Sequence, residues 1–164
     1  METIDNVLLN ISLKLIDNQD LLKLLWFNEK NALSQNNITD TIKYSMIDQE
    51  DLTNTKIFIT PFTGAVIEAE KSELRAYLYN VTPDNNILSR TVFNFEVLVH
   101  NNLWILDQAK QRPVRICSEV LKSLNGQEVN GIGRLYFSNR DRIQLVRFNE
   151  NYTGYIFSMQ NWCD

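Results

Sequence analysis

The chain has 164 residues, 44% hydrophobic and 22% charged, with a formal net charge of −4 and a pI near 5.1. That length suits a single domain over residues 1–164 with a core of its own. The acidic balance argues against a free nucleic-acid binder, and no apolar run approaches the roughly 20 residues that cross a bilayer.

Ile4, Val7, Leu8, Ile11 and Leu15 recur at helical spacing behind Thr3, which predicts a capped helix. Glu2 and Asp5 stand where a secretory leader would be basic, so synthesis in a reducing cytoplasm is expected. Asp17-Asn18 interrupts the helix, and Leu21, Leu22, Leu24, Leu25 and Trp26 continue as a run too apolar for a free surface helix. Asn28–Asn54 is mixed and polar, with a turn at Asn36-Asn37 and a short helical piece over Ile47–Leu52. The first 54 residues or so are thus read as a helical N-terminal region.

Lys56–Thr60 reads as a strand that Pro61 ends. Ser72–Asn80 sets Leu74, Ala76 and Leu78 against Glu73, Arg75, Tyr77 and Tyr79. Thr91–His100 sets Phe93, Phe95, Val97 and Val99 against Asn94, Glu96 and His100. A period of two marks half-buried strands. Between them, Thr82-Pro83-Asp84-Asn85-Asn86 is a turn in which proline presets one dihedral and Asp and Asn bond back to the chain. The link is longer than a tight hairpin needs, so a projecting tip is expected.

Pro113–Asn125 predicts a helix with proline at its first position and Gly126 as its left-handed stop. Cys117, Val120, Leu121 and Leu124 form its apolar stripe, with Arg115, Glu119, Lys122 and Ser123 facing away. Short strands over Gly133–Phe137, Arg142–Phe148 and Tyr155–Met159 close the chain. This order predicts an α+β fold with a mainly antiparallel sheet and amphipathic helices packed on one side.

No motif carries chemistry. Gly126, Gly131 and Gly133 precede no lysine-bearing helix start and read as a helix exit into a strand. His100 is the only histidine, so any nucleophile–base pair must use it. Its plainer role is a strand-end residue bonded to nearby backbone or to Asn101 or Asn102, with Cys117 a buried, inert thiol. Cys163 shows no ligand spacing with Cys117, and none joins His100 to Asp107. The pairs Glu68 with Glu70 and Glu50 with Asp51 read as solvated loop charges. Arg134, Arg140, Arg142 and Arg147 form either a local basic patch or ordinary solvated positions. No catalytic residue, cofactor or metal is expected, and the chain is read as a non-enzyme.

Tyr77 and Tyr79 lie on the polar side of their strand, where aromatics pack on something, either the first helix or another chain. With Arg75 on the same side and Pro83, Asp84, Asn85 and Asn86 at the tip, they form the candidate subunit or partner interface. Leu103-Trp104-Ile105-Leu106 is a further apolar run, placed either in the chain's own core or at an interface.

The alternating strands Ser72–Asn80 and Thr91–His100, followed by a helix opened by Arg112-Pro113-Val114-Arg115 and closed by Asn125-Gly126, resemble a known family. In element order, size and composition over about Leu52–Met159, the chain is similar to the tail-terminator and head–tail joining proteins of tailed bacteriophages. The resemblance implies a virion structural protein made in the host cytoplasm. Its subunits self-associate into a ring, commonly a hexamer, that caps the tail tube at the neck. The implied partners are the tail-tube protein and the head connector, with DNA passing through the lumen unbound and no membrane involved. The resemblance also implies association through strand edges and the Val81–Ser89 link. The alternatives are another neck or baseplate protein, a small intracellular enzyme or ligand-binding domain with a sheet–helix pocket, and a DNA-mimicking inhibitor, for which −4 is a modest charge.

Overall fold

The computed structural model describes residues 4–62, 69–83, 89–138 and 141–161. Helix α1 (Ile4–Leu15) turns at Asp17-Asn18 into α2 (Gln19–Trp26), and a short α3 (Asp40–Ser45) follows. Asn18 makes the corner. Its Oδ1 accepts the Leu21 N–H at 3.1 Å, capping α2, while its Nδ2 donates across the fold to Glu119 Oε2 and Ser123 Oγ, both at 3.0 Å.

The helical piece expected over Ile47–Leu52 is absent. Asp48 Oδ1 accepts the Glu50 and Asp51 N–H groups at 2.9 and 3.0 Å, which ties the backbone into a side-chain-closed turn instead of a helical one. That turn leads into β1 (Ile57–Phe58), shorter than the expected Lys56–Thr60. Strand β1 runs parallel to β2 (Ser72–Pro83), which pairs antiparallel with β3 (Ser89–His100). After α4 (Arg112–Leu124) come β4 (Glu128–Val129), β5 (Gly133–Tyr136), β6 (Gln144–Arg147) and β7 (Tyr152–Asn161).

The sheet order is β1-β2-β3-β7-β5-β4, with β6 also on β7. The far edge of β7 is shared, β6 taking Thr153–Ile156 and β5 taking Gln160–Asn161. Every pairing but β1 with β2 is antiparallel, so the expected α+β class and mainly antiparallel sheet hold.

Period-two patterning decides which face is covered. Leu74 and Ala76 of β2, Phe93, Phe95, Val97 and Val99 of β3, and Phe157 and Met159 of β7 share one face and are buried. They join Ile11, Leu15, Leu21, Leu22, Leu25, Ile116, Val120 and Leu124 in one core, with α1, α2 and α4 as its cover. Phe95 and Phe157 stack at 5.4 Å, and each such buried ring contributes about 1.5–3 kcal/mol. In the expected apolar run, Leu103 and Leu106 are buried, while Ile105 is exposed.

Helix α4 departs from its expected pattern at Glu119, which was placed facing away from the core and is 1% exposed. The α1–α2 corner lies over it: Asn18 bonds one carboxylate oxygen, and Lys122 Nζ and Arg115 Nε lie at 3.3 and 3.5 Å. A carboxylate is tolerable there because it is paired and hydrogen-bonded.

Arg112, at the start of α4, is fully buried and forms no ion pair within 4 Å among the described residues. Its Nε donates to Leu103 O at 2.9 Å and its Nη1 to Leu24 O and Phe27 O at 2.8 and 2.7 Å. Its Nη2 donates to Asn28 O and Glu29 O at 3.1 and 2.8 Å. Helix α2 ends without a glycine cap, and the guanidinium instead satisfies the carbonyls its last turn leaves open, where a cation also suits the helix dipole. Burial lowers the Arg112 pKa to about 10, so the group stays charged at neutral pH.

Candidate interaction surface

The face of β2 and β3 away from the helices carries an alternating ladder of charge. Lys71 Nζ lies 2.6 Å from Glu73 Oε1, and Arg75 Nη2 lies 3.8 Å from Glu73 Oε2. Arg75 Nη1 reaches Glu96 Oε2 at 3.4 Å and donates to Pro61 O at 3.2 Å. Tyr77 OH donates to Glu96 Oε1 at 2.7 Å, and burial followed by that carboxylate pushes its pKa up. Glu73 is fully buried, and the flanking cations compensate its charge. Beyond the ladder, Ser158 Oγ donates to Asn94 Oδ1 at 2.6 Å and Arg90 Nε to Gln160 Oε1 at 2.7 Å.

The expected interface residues therefore divide. Arg75 and Tyr77 are both engaged with Glu96 in this ladder. Tyr77 does not pack on the first helix, because α1 meets β2 from the opposite face, on the side of the core. Tyr79 is 66% exposed, and a register shift between Leu78 and Asn80 increases the local twist beside it. Past Val92 the β3–β7 backbone pairing ends, while Thr91 N–H and the Arg90 side chain still reach the β7 side chains of Asn161 and Gln160. Val81↔Thr91, Thr82↔Arg90 and Pro83↔Ser89 continue the β2–β3 pairing. The result is a two-stranded hairpin end on which Val81 is exposed, with Tyr79 exposed at the register shift just before it. Pro83 is the last described residue of β2, and Asp84, Asn85 and Asn86 lie outside the described residues.

The residues weighed for chemistry stay apart. His100 Nδ1 accepts the Asn102 N–H at 3.2 Å, the strand-end role expected for it, and its ring meets Tyr152 edge-on at 5.2 Å. Cys117 is buried on α4, and burial pushes its thiol pKa up to about 12. Asp51 is exposed, its carboxyl held below the usual range by Thr53, which donates both Oγ1–H and N–H. Glu70 accepts from Asn102 Nδ2 at 2.7 Å. Arg134 is exposed on β5 while Arg142 and Arg147 are exposed just before and at the end of β6, and Glu68, Arg140 and Cys163 lie outside the described residues. Among the described residues, no group of three or more His, Cys, Asp or Glu is arranged to hold a metal.

The sequence marks Arg112 only as the opening of a helix and gives no sign of Gln49. A lone polar residue at the end or start of an apolar run carries no local sign of the carbonyls it will meet. Gln49 closes the outer edge of β1: its Nε2 donates to Ile57 O at 2.9 Å, its Oε1 accepts from Ile59 N–H at 3.3 Å, and Met46 O accepts Ile57 N–H at 3.0 Å.

A family model described as YomW matches residues 18–161. No curated protein matches the chain. Among the described residues, no helix is long and apolar enough to cross a membrane.

Proposed function

Because the chain belongs to the YomW family, a phage-associated family, we propose that it is a virion structural protein, a tail terminator or head–tail connector subunit. In this reading it forms a ring at the neck, commonly hexameric, that caps the tail tube and docks the head connector. DNA passes through the lumen without specific binding, and a net charge of −4 suits a channel that must not hold phosphates.

The observation that carries the reading is the β2–β3 hairpin. Its end runs beyond the last β3–β7 backbone pairing and exposes Val81, with Tyr79 exposed just before it, apolar surface whose solvation is relieved when another chain covers it. The enzyme alternative draws on a pocket between sheet and helices, but that space is packed with Ile11, Leu21, Phe93, Phe95 and Val120.

Sedimentation velocity of the purified chain, alone and with tail tubes from the same phage, tests the proposal. A closed oligomer, or a cap that co-sediments with tubes, is expected. His100→Ala and Cys117→Ser should leave that assembly unchanged. A chain that stays monomeric at every concentration and ignores tubes would overturn the reading.

A further inference from the structure

The two lateral edges of the sheet differ in a way that matches one to the other. The β1 edge is closed by Gln49 and Met46, and the turn that supplies them presents Asp48, Glu50 and Asp51 to solvent around Leu52, itself 43% exposed. No cation occurs between Lys43 and Lys56. The opposite side of the sheet is shared by β5–β4 and β6, and the outer side of β6 meets no described strand. Phe148 N–H donates to Tyr152 O, so along this antiparallel pair Leu145 and Arg147 turn their own backbone groups outward. Leu145 is 58% and Ile143 41% exposed, and exposed Arg142 and Arg147 flank them with no carboxylate between.

The geometry points to a head-to-tail contact between copies of this chain, in which the arginine-flanked β6 edge of one copy docks on the acidic Asp48–Leu52 turn of the next. Both surfaces place an exposed aliphatic side chain among charges of one sign, and the signs are opposite. They lie at opposite ends of the sheet, so the contact is heterologous and passes from copy to copy until the rotation closes. The outward backbone groups of Leu145 and Arg147 are open to pairing, and docking at β6 would cover them. The inference rests on the ring reading above and names the surface that would build it.

Two complementary charge reversals test it by sedimentation velocity. Arg142→Glu with Arg147→Glu makes the β6 edge acidic, and Glu50→Arg with Leu52→Arg and exposed Asn54→Arg makes the turn basic, three arginines against Asp48 and Asp51. Glu50 is chosen because Asp48 and Asp51 close the turn with their own side chains. Each variant alone should self-associate about tenfold or more weakly than wild type, since like charges then face each other across the contact. Mixed in equal amounts, the two should regain assembly, because each acidic edge then meets a basic turn. Circular dichroism confirms that each variant is folded. If the wild type assembles and both folded variants assemble equally well, this surface is wrong while the ring reading stands. If wild type itself never assembles, alone or on tail tubes, both fall.

Discussion

Replacing Arg112 with methionine, a side chain of similar length, removes all five guanidinium donors while keeping the stem. The bonds to Leu24 O and Leu103 O are buried, and that to Phe27 O is partly so. Asn28 and Glu29 are exposed residues whose carbonyls regain water. Three carbonyls left unpaired at about 1–3 kcal/mol each give a gross loss of about 3–9 kcal/mol. Relief of the several kcal/mol spent burying a cation offsets part of that, leaving a net destabilisation of about 2–5 kcal/mol. For a chain of this size the corresponding fall in Tm is about 5–20 °C. Urea unfolding followed by far-UV circular dichroism measures it, with an unchanged m-value showing that the same surface is exposed. Arg112→Lys should fall between, because one ammonium cannot span carbonyls on α2, the segment after it and Leu103. Stability of Arg112→Met within about 0.5 kcal/mol of wild type, the usual range of a surface change, would refute the argument that α2 ends on this side chain.

Three further outcomes follow from the same contacts. A Cβ at Gly154 would sit 1.7 Å from Val97 O, so Gly154→Ala must part β3 from β7; we expect a loss of cooperative thermal unfolding, and a near-wild-type melt would contradict the close approach. Cys117 and Tyr152 have pKa values raised to about 12 from 9.0 and 10.0, so their contribution to stability is intact below pH 9 and lost as pH rises toward 12. Urea midpoints taken across that window should fall less steeply in Cys117→Ala and Tyr152→Phe than in wild type, and parallel curves would remove burial as the cause. Tyr79→Ser should change the urea midpoint by less than about 0.5 kcal/mol equivalent while weakening assembly; loss of stability without loss of assembly would make Tyr79 an intramolecular contact.

The parts of the fold that sequence revealed are those whose causes are local. Alternation over Ser72–Asn80 and Thr91–His100 marks the central hairpin and its buried face, and Pro113 with Gly126 brackets α4. Gly126 adopts φ +73°, the left-handed value its place after the helix demands. The misreadings share a different cause. Ile47–Leu52 has enough apolar residues for a helical turn, yet Asp48 supplies a competing backbone acceptor. Glu119 has the spacing of a solvent-facing residue, and only the α1–α2 corner lying above it makes it a core residue. Of the candidate interface, sequence placed Arg75, Tyr77 and Tyr79 on one side of a strand, but did not show that two of them are engaged with Glu96.

By itself, the amino-acid order determined the secondary elements with strong periodicity, the α+β class and which strand face is apolar, because each depends on residues within a few positions of one another. Tertiary structure alone decided the parallel seat of β1, the division of one β7 edge between β6 and β5, the closure of β1 by Gln49 and the burial of Arg112. The Arg112 contacts to α2 and the segment after it span 83 to 88 residues of sequence. Pairings at that range are set by how the core packs and which backbone groups it leaves unsatisfied, and no local pattern records either.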